Sequence, residues 1–289
     1  MLFWVLICTT LSAQVAKLDD IRAIKNSKVI VGLSGNDELD EILRRVITKY
    51  WSFSEVIAFE NAETATKKAK LDDNLMVLKL GKKVGYSPSH STPGSNNKYK
   101  YITEGHQIEI GTGKNKLLVS VLIPTFKDDE ITEEILVYGI STLQHLCKTM
   151  DDNNLKSNMK IKDVYKENTP QLKNKTLYIP EFWLSPKFDI NEIKNLYDAK
   201  IKVVSYEDWR NAILTGEEGI AYVMVVPTPS GGNYVYLHYL VDAHTSNVYA
   251  FVYPKVSGSI AGINVTKSNT GFINDKNIKM YNEALNGKW

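Results

Sequence analysis

Two stretches of this chain, residues 57–78 and 203–226, follow one plan: a strand, a short helix and a second strand. In the first, "AFENAETATKKAKLDDNLMVL" carries a short apolar run, a helix striped only by Ala62, Ala65 and Ala69, and the run "LMVL". In the second, "VSYEDWRNAILTGEEGIAYVMVV" repeats that order, with Phe59-Glu60-Asn61 set against Tyr206-Glu207-Asp208. The two copies lie about 150 residues apart, a period far too long for a solenoid, so the repeat predicts two tandem domains.

Walking outward from each copy extends the match. "KVIVGL" from Lys28 suits a buried strand. Asn36 can cap the helix that follows, with acids in its first turn and a stripe of Leu39, Ile42, Leu43, Val46, Ile47 and Tyr50. After the third strand come "HQIEI" and "LLVSVLIP", then a long amphipathic helix from about Asp129 to Met150 with Ile135, Tyr138, Leu143 and Leu146 inward. From Lys175 the order recurs: "KTLYIP", a helix capped by Asp189, "IKVVSY", "EDWRNAILTG", "IAYVMVVP", a hairpin, and a last helix in "NDKNIKMYNEAL". Helices between strands impose right-handed parallel crossovers. The expected fold class is therefore α/β, with two similar βαβαβ-plus-hairpin units, each a mixed sheet flanked by helices. The expected strand order within a unit is 2-1-3-4-5. Residues 27–150 form the first unit, the polar stretch 151–174 a linker, and 175–289 the second unit.

Residues 1–13 are apolar or small and uncharged, ending at Ala13. That run is too short to span a bilayer and fits a signal peptide cleaved after Ala13. No later segment reaches the roughly 18 apolar residues of a membrane span, so no transmembrane segment is expected in the mature chain. The expected location is periplasmic or secreted. Past Ala13 a single cysteine remains, Cys147, which cannot close an internal disulfide and sits at helical spacing with Leu143 and Leu146. Thirty-five basic residues oppose thirty-three acidic ones, and a net charge of +2 gives no overall attraction to nucleic acid.

The hairpin around "VDAHTSNV" has no polar face. Setting Val241 against Val248 places Tyr239 with Ala250 and Leu237 with Val252 on one side. Leu240 with Tyr249, His238 with Phe251 and Tyr236 with Tyr253 fall on the other. A sheet with one wet face alternates apolar and polar residues, so something must cover this second, aromatic face. The occupants that fit are the other unit, the C-terminal segment or a second subunit, and a ligand in an open groove. Tyr236, His238, Tyr249, Phe251 and Tyr253 are accordingly the candidate ligand-binding residues.

Chemical motifs are incomplete. "GLSG" puts Ser34 at a strand-to-helix turn, but Asn36 stands where a nucleophile elbow needs its last glycine. The same glycines lack a Walker lysine, and Asp37 and Glu38 would repel phosphate. His238, Asp242 and His244 share strand parity, yet Asp242 and His244 fall in the turn, where aspartate serves local hydrogen bonds. Glu207 and Asp208 read as the first turn of a helix. No catalytic residue, metal or cofactor is assigned. The expectation is a non-enzymatic exported binding or scaffolding protein for an unidentified small-molecule or protein partner. Two other readings stay open: a hydrolase-type enzyme with its cleft between the units, and a homo-oligomeric cell-envelope subunit, in the simplest case a homodimer.

Overall fold

The computed structural model describes residues 16–81, 105–125, 130–185, 188–230, 233–252 and 272–288. The first unit contains α1 (Leu18–Asn26), β1 (Lys28–Leu33), α2 (Asp37–Tyr50), β2 (Glu55–Asn61), α3 (Ala62–Leu71), β3 (Leu75–Leu80), β4 (Gly105–Thr112), β5 (Leu117–Pro124) and α4 (Glu133–Asp152). The helix α5 (Ile161–Asn168) leads to β6 (Thr176–Pro180), β7 (Lys200–Val204), α6 (Tyr206–Thr215), β8 (Ile220–Ser230), β9 (Asn233–Asp242), β10 (Val248–Val252) and α7 (Asp275–Leu285).

The strands form two five-stranded mixed sheets, ordered β2-β1-β3-β4-β5 and β10-β9-β8-β6-β7. Counted within each unit, both orders are 2-1-3-4-5, as expected. In each, the first strand lies parallel to the second and third, and the last three run antiparallel. The apolar runs explain the centre of each sheet. In β1 every residue after Lys28 is buried, as a strand covered on both faces requires.

The helix caps set the two copies in a different register from their sequence likeness. Asn61 caps α3 by accepting from the Glu63 amide, and Ser205 caps α6 by accepting from the Asp208 amide. The structural equivalent of Asn61 is thus Ser205 rather than Asp208, a shift of about one helical turn. The Phe-Glu-Asn and Tyr-Glu-Asp triplets resemble each other, but the first ends on the cap and the second follows it. Around α6 the local reading holds: Trp209, Ala212 and Ile213 are buried, and Gly216 ends the helix in the left-handed conformation at φ 64°.

Three elements differ from the sequence reading. The stretch 151–174, expected as a polar linker, is largely helical, with α5 between two 3-10 turns at Asn158–Lys160 and Thr169–Asn174. Ile161, Tyr165 and Leu172 are buried from it, an apolar stripe that its many lysines and asparagines obscure. The helix after Asp189 is a 3-10 segment, Ile190–Asn195. The short α1 leaves little apolar pattern in the sequence, because only Ile21 and Ile24 of its nine residues are buried.

The long helix α4 organises the molecule. It is buried almost all round, from Glu134 through Leu143 without a break and again at Leu146, Cys147, Thr149 and Met150. A helix covered on every side lies inside a core rather than on a surface. Here α4 packs on β4 and β5 of its own sheet and on α6 and α5 beyond it. Most apolar residues of the two units consequently form one continuous core, with a small separate cluster of Ile30, Ala65, Ala69 and Val77 under α3. Beneath α6, Phe182, Trp183 and Trp209 meet edge-on or tilted, with centroids 4.8–5.4 Å apart. The Trp209 indole N–H donates to the Val223 carbonyl at 3.2 Å.

Gly113, in the turn between β4 and β5, sits directly on the last turn of α3. A Cβ there would fall on the backbone of Ala69 and Lys70, which cannot swing aside as a side chain would. Gly113→Ala is therefore expected to destabilise the fold by about 3 kcal/mol, the upper range of overpacking. Thermal unfolding checks this, and an unchanged melting temperature would contradict it.

Candidate binding site at the junction of the two units

The hairpin keeps Val241 opposite Val248 but not the register expected beyond it. A bulge at Tyr249 moves the pairing by one, so that Ala250 faces Leu240, Phe251 faces Tyr239 and Val252 faces His238. One extra residue transfers every following side chain to the other face. The aromatic face expected from alternation is thereby split, and each side is covered.

On one side Tyr239 and Phe251 lie with centroids 6.1 Å apart. Tyr138 of α4 meets Tyr239 at 6.3 Å, and Tyr165 of α5 meets Phe251 at 6.2 Å, edge to face. On the other side His238 meets Tyr281 of α7, its Nδ1 sharing a 2.5 Å hydrogen bond with the tyrosine hydroxyl. Burial pushes the His238 pKa down to about 3. Tyr249 is 1% exposed; its hydroxyl donates to Asp242 Oδ2, and its carbonyl accepts from the Thr169 hydroxyl at 2.8 Å. Tyr236 is half-buried opposite Pro227. Tyr253 lies outside the described residues.

Of the four that are described, Phe251 lines a cavity. That cavity, of about 60 Å³, lies between α4, α5, β5 and the hairpin sheet, where the two units meet. The rings of Tyr138, Tyr165, Tyr239 and Phe251 surround it, with Leu122, Leu146, Ile161 and Leu237. Polar atoms come from Ser120, Tyr138, Thr142, Asn158 and Thr228, and among the described residues lining it none is ionised at neutral pH. Ser120 and Tyr138 are each 1% exposed, and their hydroxyls have no hydrogen-bond partner. The Thr142 hydroxyl, one turn along α4 from Tyr138, is also buried and without a partner. Burial raises the Tyr138 pKa far above that of a free phenol, so its proton stays in place and is available to donate. Leucine or valine would pack such a seam better; alternation and spacing could not show that residues so far apart bring hydroxyls together.

Close to the cavity the units are tied by a buried carboxylate. Glu134 of α4 is fully buried; its Oε1 accepts from the Tyr206 hydroxyl at 2.6 Å and from the Thr132 hydroxyl. Its Oε2 lies 3.5 Å from Arg210 Nε. The Tyr50 hydroxyl of α2 adds a 3.3 Å bond to the Leu214 carbonyl. Burial and the Glu134 carboxylate together push the Tyr206 pKa up.

The remaining groups with chemical potential have structural partners. Ser34 donates both its amide, at 2.7 Å, and its hydroxyl, at 2.8 Å, to Asp40 Oδ1, and the Gly35 amide donates to Oδ2. Asp242 pins the hairpin turn, accepting from the His244 and Thr245 amides, and pairs with Lys175 at 2.6 Å. Burial would raise its pKa, but Lys175, Tyr249 and the Thr245 amide outweigh that and hold the carboxyl below the usual range. The His244 ring lies 3.0 Å from the Gly216 carbonyl, well apart in role from His238. Among the described residues no group of three histidine, cysteine or carboxylate side chains is placed to hold a metal. Cys147 is buried in α4, and burial pushes its thiol pKa up. Glu207 is exposed beside Arg210 at 3.7 Å.

The fold and the junction define an α/β protein of two like-wound mixed sheets joined through one buried helix. Compared with protein-family models, curated proteins and solved structures, the chain matches none. Among the described residues no helix is long and apolar enough to cross a membrane.

Proposed function

We propose that this chain is an exported, non-enzymatic binding protein whose ligand site is the cavity at the junction of its units. The observation that carries the reading is the group of buried, unpartnered hydroxyls of Ser120, Tyr138 and Thr142 around that space. Buried polar groups in native proteins have partners, so an exception calls for water or a ligand. The reading gains support from the serine, histidine and carboxylate groups that could do chemistry, since Ser34, His238, Asp242 and Glu134 each serve an internal contact. Export rests on the uncharged apolar run of residues 1–13. The test is to express the full chain in a secretion-competent host, fractionate it, and sequence the N-terminus of the product. A mature chain outside the cytoplasm beginning at Gln14 is the expected result. An intact Met1 in the cytoplasmic fraction would overturn export. Native mass spectrometry of the same product is expected to show a small carried-over ligand at one per chain.

A further inference from the structure

We infer that the junction cavity takes a small, uncharged, flat molecule carrying one hydroxyl, of the phenol class. This rests on the binding reading above and specifies its ligand. Four aromatic rings, Tyr138, Tyr165, Tyr239 and Phe251, bound the space and favour a flat apolar body in offset or edge-on contact. At about 60 Å³ the cavity exceeds several times the roughly 10–15 Å³ of one water but falls short of the roughly 150 Å³ that encloses a benzene ring. It therefore takes the hydroxyl end of such a molecule while the ring reaches the open margin, and it admits no nucleotide or cofactor. Ser120, Tyr138 and Thr142 supply hydroxyls from a strand and from one face of a helix. Each can donate or accept, so together they suit a group that does both, as a ligand hydroxyl does. The lining offers no counter-charge, so an anion or cation would lose its hydration without compensation. Leu122 and Tyr239 line the cavity yet are only half-buried, which gives it a margin at the surface.

The experiment titrates the full chain with phenol and, separately, with benzoate, following calorimetric heats and protein NMR shifts. Three chains are compared: the natural one, Ser120→Ala and Tyr138→Phe. Both substitutions remove only a hydroxyl and leave the packing, and thermal unfolding verifies the fold of each. Saturable one-to-one binding of phenol is expected, weakened about three- to tenfold by each substitution, as loss of one hydrogen bond implies. Benzoate is expected to bind at least about a hundredfold more weakly. Benzoate binding as tightly as phenol, with both variants unaffected, would overturn the ligand class while leaving a binding site. Saturation by neither probe up to about 10 mM would mean a cavity holding water only, and would overturn both the ligand class and the binding reading.

Discussion

Arg210→Ala is expected to destabilise the protein by about 3–5 kcal/mol, and Glu134→Gln by only about 1 kcal/mol, although both break the same ion pair. The asymmetry follows from burial. Glu134 is fully buried, whereas the Arg210 side chain retains 33% of its exposure. Removing the arginine leaves a carboxylate in the core with two hydroxyl donors and no counter-charge. Glutamine in place of Glu134 removes the charge, keeps an oxygen for the Tyr206 hydroxyl, and leaves an arginine that reaches water. Urea unfolding of the two single variants and the double variant measures this. The double variant is expected to cost less than the sum of the singles, because its arginine loss strands no charge. Equal losses for the two singles would contradict the assignment of Glu134 as the buried member.

The second large effect is on pH dependence. His238 is neutral in the folded protein, with a pKa of about 3, while an unfolded histidine titrates near 6.5. Between those values the unfolded chain binds the extra proton, so stability falls as the pH drops from 6.5 toward 3. At pH 5 the loss from His238 is on the order of 2 kcal/mol. His145 acts in the same direction. Burial first, and Lys148 second, lower its pKa to about 4. Asp242 and Asp151 are held below the usual carboxylate range, so their contributions persist in this window and are lost only at lower pH. The decline between pH 6.5 and 4.5 therefore belongs to the histidines. His238→Asn is expected to lower stability at pH 7, through the weakened contact with Tyr281, yet to flatten the decline toward pH 5. Melting curves at pH 7, 6 and 5 test this; a variant with the same pH slope as the natural chain would contradict the buried neutral imidazole.

What the sequence revealed was what local pattern controls. Runs such as "KVIVGL" and "IAYVMVV" placed the central strands, and the cap at Asn36 placed the start of α2. Repetition of the order then gave the topology of both sheets. The two-sided apolar hairpin implied that both faces are covered, and they are, by α4 and α5 on one side and α7 on the other. Its register was not legible, because the bulge at Tyr249 depends on Tyr249 and Asp242 meeting across the turn. The cavity was hidden for a related reason. Ser120 and Thr142 stand in otherwise apolar elements as ordinary small polar residues, and only the meeting of units brings them to one space. The buried α5 was masked by its lysines, which reach solvent while Ile161 and Tyr165 turn inward.

The buried helix α4 and a shared core join the two units, which should therefore open as one cooperative body. The cavity exists only while they are docked. Native-state hydrogen exchange of the full chain in rising urea, read by mass spectrometry on peptides from β1 and β6, tests this most directly. The account predicts that both strands lose their protection together, in one global opening with one urea dependence. Opening of β6 at lower urea while β1 stays protected would show two independent units and contradict it.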